Sequence, residues 1–67
     1  MQVIDSATRI AISRVANIIR VLAAHFVPLT DVVLLESYEW AVEQEGDPKD
    51  LLHEDVGEAL VYSITRG

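Results

Sequence analysis

The chain contains no cysteine, which excludes disulfides and thiolate metal sites, two common ways of stabilising a very small protein. That absence fits a reducing cytosol and an exported protein equally, so it does not fix the compartment. Glycine and proline are scarce, at three and two of 67 residues, and few positions therefore force a turn. There is no glycine-rich phosphate loop. Ser6, Ser13, Ser37 and Ser63 lack the flanking pattern of a serine nucleophile. No acid occurs between Ser6 and Thr30, and Lys49 is the only base between Asp31 and Glu58. Basic residues number five against eleven acids, a net charge of −6. Without a basic footprint, direct nucleic-acid binding is not expected.

What remains is apolar. Hydrophobic residues make up 51% of a chain long enough for one domain at most. So small a domain has little interior in which to hide them, and self-association or coverage by a partner is the expected outcome. The run from Ile10 to Leu29 is apolar enough to suggest a membrane span, but Arg14, Asn17, Arg20 and His25 would each be costly at bilayer depth. No basic stretch precedes the run and Asp5 sits close to it, so a secretory signal is not expected either. The acid-poor, Arg-bearing segment has the composition of a mitochondrial presequence, yet no cleavable spacer separates it from the rest. We expect a cytoplasmic protein that does not enter a membrane.

The periodicity is helical throughout. After a short apolar lead-in over residues 1–4, Asp5 or Ser6 can cap a long first helix. Ile12, Val15, Ile19, Leu22 and Phe26 recur at steps of three and four. Ser6, Arg9, Ser13, Asn17 and Arg20 line the opposite side. Ile10 and Val21 lie beside that polar side, where a monomeric core has little use for them, and are the candidate dimer contacts. Pro28 ends the helix, and Thr30 or Asp31 caps a second one. Its apolar stripe is Leu34, Leu35, Tyr38, Ala41 and Val42. Glu36, Glu39 and Glu43 form an acidic row, and Val33, Trp40, Ser37 and Gln44 share a third strip. Gly46 and Asp47-Pro48 mark a clear boundary. Beyond it Leu52, Val56, Ala59 and Leu60 continue an apolar face, with a break predicted near Glu54.

These patterns predict a single all-α domain, a small bundle of three to four helices over residues 6–26, 31–45, 48–54 and 55–65. The short connection predicts that the first two form an antiparallel hairpin. The predicted core is Ile12, Val15, Ile19, Leu22, Phe26, Leu34, Leu35, Tyr38, Val42, Leu52, Val56 and Leu60.

His53, Glu54, Asp55 and Glu58 offer metal-ligand chemistry, but Gly57 occupies the position where a second ligand to pair with His53 would stand. No metal and no cofactor is expected, and nothing points to an enzyme. The composition favours a non-catalytic interaction module, homodimeric, that presents an acidic helical surface to a basic protein partner. Val33, Glu36, Glu39, Trp40 and Glu43 are the candidate partner-binding residues, Trp40 because tryptophan is enriched at binding hot spots. An alternative is a small phage-type inhibitor whose carboxylates take the place of phosphates in a nucleic-acid-handling complex. A membrane-surface peptide built on the first helix is a third reading.

Overall fold

The structure is a computed structural model that describes residues 5–66; the apolar lead-in lies outside that range. The described residues are all helical, without strands. Helix α1 spans Ser6–Ala24, α2 spans Asp31–Glu43, a 3-10 segment spans Pro48–Leu52, and α3 spans Glu54–Arg66. Helix α1 touches each of the other three elements, and α2 and α3 also meet.

Local chemistry sets each boundary. Asp5 is the N-cap of α1, its carboxylate accepting the Thr8 N–H at 2.7 Å. Helix α1 stops two residues earlier than its periodicity suggests. The Val27 N–H reaches back to the Leu22 carbonyl at 2.9 Å and the Phe26 N–H to the Ala23 carbonyl at 3.1 Å, the paired bonds of a Schellman motif. The motif sets Phe26 in the left-handed region, at φ 57°. Thr30 caps α2 by accepting the Val33 N–H at 3.2 Å. Asp47 caps the 3-10 segment, with Pro48 at its first position. Gly46, at φ 98°, makes the bend before it rather than closing α2, which ends at Glu43 with Gln44 extended. The predicted break falls at His53, whose carbonyl accepts the Gly57 N–H at 2.8 Å as α3 begins.

The core is smaller than the sequence pattern suggests, and it is centred elsewhere. It consists of Ile18, Val21 and Leu22 from α1, Ala41 from α2, Leu51 from the 3-10 segment, and Leu60 and Ile64 from α3. Val15, Val27, Val33, Trp40, Val56 and Val61 pack around it, half-buried. Of the predicted core only Leu22 and Leu60 are buried, with Val15, Ile19 and Val56 half-buried. Ile12, Phe26, Leu34, Leu35, Tyr38, Val42 and Leu52 are exposed. The cause is steric. Helices α2 and α3 turn their small residues inward: Ser37 and Ala41 are fully buried, and Gly57 lies so close to α1 that an added Cβ would meet Val21 Cγ1 at 3.3 Å. Small residues at the crossings let the backbones approach, and the bulkier stripes turn outward. Buried Ser37 satisfies its hydroxyl within its own helix, donating to the Val33 carbonyl at 2.7 Å.

The polar side of α1 is exposed at Ser6, Arg9, Ser13 and Arg20, but at Asn17 it forms a joint. Arg14 donates to the Gly46 carbonyl at 2.6 Å, and buried Asn17 donates to the Pro48 carbonyl at 2.9 Å. Arg20 in turn donates to the Asn17 side-chain oxygen at 3.3 Å. The connection after α2 is thus held against α1 by hydrogen bonds to backbone carbonyls. Among the described residues the one carboxylate–cation approach within 4.0 Å is Asp50 with His53, both well exposed.

Candidate interaction surface

The outward rotation of the two apolar stripes places them side by side. On α1, Thr8, Ala11, Ile12, Val15, Ala16 and Ile19 line a shallow groove that is closed on its α2 side by Tyr38. Ile12 is 55% exposed and Tyr38 58% exposed, so the walls of this groove present apolar surface to water; Leu35 and Val42, each 58% exposed, lie on the outer side of α2. Val42 and Ala41 also border the neighbouring groove formed with Ala7, Ile10, Ala11 and Arg14. The two grooves form a continuous apolar surface along α1 and α2. Monomers rarely leave a patch of that kind uncovered, and such patches mark contact surfaces.

The candidate residues fall on different sides of this arrangement. Val21 is 7% exposed, packed in the core beside Gly57, so as the structure stands it is not available as a dimer contact. Ile10, the other candidate contact, is exposed and lines grooves on the α2 side and on the 3-10 side of α1. Val33 and Trp40 are half-buried against the core. The strip they share with Ser37 and Gln44 is therefore the inner face of α2, and Trp40 packs more than it projects. Glu36 is half-buried beside the α1–α2 connection and the end of α3, near Val27, Pro28 and Ile64. Glu39 and Glu43 are exposed and stand on the outer side of α2, flanking Leu35 and Val42.

Two features were not anticipated from the sequence. One is Phe26, which is 92% exposed because its place in the Schellman motif directs it away from the core. The signal was present in Pro28, which forces the chain out of helix just where the stripe would have carried Phe26 inward. The other is a groove that adjoins the first along Ala16, lined by Arg9, Arg20 and Lys49 together with Asp47, with Ile10 and Leu52 as apolar lips. The joint at Asn17 brings Lys49 there, and no spacing in the sequence announces it.

Charge on this surface is little neutralised. None of the α1 arginines pairs with a carboxylate within 4.0 Å among the described residues. Asp5 is held below the usual carboxylate range by hydrogen bonds from the Thr8 side chain and N–H. Among the described residues no three His, Asp or Glu side chains converge as a metal site would require, and no helix is long and apolar enough to cross a membrane. No known protein family, curated protein or solved structure matches the chain.

Proposed function

We propose that this chain is a non-catalytic protein–protein interaction module that docks through the apolar surface shared by α1 and α2, with Glu39 and Glu43 on its edge. One observation carries the reading. Among the described residues eleven large hydrophobic side chains are exposed, against seven hydrophobic residues in the core. Ile10, Ile12, Leu34, Leu35, Tyr38 and Val42 belong to α1 and α2, and burying them on a partner would remove apolar area from water at roughly 25 cal/mol per Å², a driving force the isolated fold leaves unused.

An antiparallel pairing of α1 and α2 belongs to the same reading. The groove residues Ala41 and Val42, late in α2, sit beside Ala7 to Arg14, early in α1. That registration supports a hairpin presenting both apolar stripes on one side.

The test is affinity capture from the native host with the wild-type protein and the variants Ile12→Asp and Val42→Asp, after circular dichroism has shown both variants to be helical. We expect the wild type to retain a protein partner, its own chain included, and both variants to lose it. Retention of the same set by all three proteins would contradict the proposal.

The alternative, an acidic face that occupies a nucleic-acid-binding groove, is favoured by the unpaired state of Glu39 and Glu43. It predicts target binding that weakens steeply with salt and is abolished by reversing those two charges. Docking on apolar area predicts a shallow salt dependence.

A further inference from the structure

We infer that the occupant of the α1–α2 surface is a second copy of this chain, placed so that α1 of each copy lies over α2 of the other. The inference names the partner of the docking surface proposed above and rests on that reading.

The first support is exposed apolar side chains. Ile12, Leu34, Leu35, Tyr38 and Val42 are each between 39% and 58% exposed, and an apolar surface of that kind marks a contact surface.

The second support is charge. The edges of the surface carry opposite signs. At 3.6 residues per turn, Arg9 and Arg20 fall on the side of α1 beyond Ile12 and Ala16, and α1 bears no acid. Glu39 and Glu43 fall on the side of α2 beyond Leu35 and Val42, and α2 bears no base. A surface with one cationic edge and one acidic edge is complementary to itself under one kind of two-fold rotation. If the axis lies in the interface and runs along the helices, midway between them, α1 is carried over the partner's α2. Each cationic edge then meets an acidic edge, and Ile12 and Ile19 face Leu35, Tyr38 and Val42. If the axis lies across the helices, like edges meet and repel. The fold thus favours one isologous arrangement, a four-helix layer built from two copies. It also gives the arginines of the acid-free helix α1 a purpose that ion pairing within the chain does not supply.

Sedimentation equilibrium on five proteins tests the inference: the wild type, Arg9→Glu/Arg20→Glu, Glu39→Lys/Glu43→Lys, the variant combining all four changes, and Ile12→Asp. Circular dichroism on each confirms that it is helical. We expect a wild-type dimer at micromolar concentration, at least ~10-fold weaker association for each two-residue reversal, and recovery in the four-residue variant, where both edges have exchanged sign. Ile12→Asp is expected to be monomeric. Reversals that dimerise like the wild type would overturn the arrangement. A wild type that remains monomeric would overturn self-pairing alone, provided that Ile12→Asp still releases the proteins captured from the host. A dimer that survives Ile12→Asp would remove the docking surface itself.

Discussion

Phe26 shows most sharply how a single residue reports on the whole. It holds left-handed geometry, in which an L side chain costs roughly 1–2 kcal/mol, and its ring is almost entirely in solvent. Glycine is the residue this position ordinarily takes. Phe26→Gly is therefore expected to raise stability, by on the order of 0.5–1 kcal/mol after the added chain entropy of glycine is subtracted. Chemical denaturation checks this, and a lower midpoint would mean that the ring makes a contact which its exposure does not reveal. Asp5 gives a second residue-scale prediction. Its carboxyl is held low in the folded state by hydrogen bonds that the ionised form accepts more strongly, so its cap stabilises α1 fully above the ordinary value of 3.8. That contribution is lost as the pH falls through the lowered folded value. Asp5→Ala should melt below the wild type at neutral pH, and the gap should close in strong acid. At this scale the sequence was legible where the chemistry was local. Asp5, Thr30 and Asp47 are caps in the structure as their residue types suggest. Phe26 was misassigned because a stripe at steps of three and four ignores where the helix must end.

The all-helical architecture is legible in the sequence, whereas the faces that α1 and α2 turn toward the core are not. The reason lies in how evenly apolar residues are spread around α1 and α2. Ile12 and Ile18 are equally good core residues by type, and only the shape of what packs against them decides which turns inward. Ser37, Ala41 and Gly57 supply that shape, and a search for large apolar stripes overlooks small residues. Gly57 permits a direct check. An alanine there gains helix propensity of about 1 kcal/mol but sets its Cβ 3.3 Å from Val21, so the two effects should nearly cancel. Gly57→Leu should separate α3 from α1 and destabilise the fold by about 1–3 kcal/mol or more. Thermal melts of the two variants test the crossing. A Gly57→Leu protein as stable as the wild type would mean that α3 does not depend on that approach. The α1 joint is the second element-scale device. Asn17→Leu leaves the Pro48 carbonyl without its donor and frees Arg20 from its acceptor. A loss of about 1–3 kcal/mol is expected, seen as a fall in Tm of ~4–8 °C for each kcal/mol. An unchanged Tm would show that water replaces the amide at no cost.

The whole molecule is flat, with extents of 38 × 25 × 18 Å and a radius of gyration of 11.9 Å, against about 11 Å for a compact domain of this length. A slab 18 Å thick is less than two full helix diameters deep, so α1 and α2 have too little of the chain above them to cover both of their apolar sides. Composition had already indicated surplus hydrophobic surface. It does not say where that surface lies: Val21 and Trp40, which the periodicity sets apart from the main apolar stripes, pack against the interior. The central claim is that the uncovered side of α1 and α2 is where a second copy of this chain docks. It is tested most directly by amide chemical shifts in two-dimensional NMR spectra recorded from micromolar to millimolar concentration. Concentration-dependent shifts should cluster at Thr8, Ile12, Val15, Ile19, Leu35, Tyr38 and Val42, with Tyr62 and the outer side of α3 unchanged. Shifts confined to α3, or none across that range, would contradict the account.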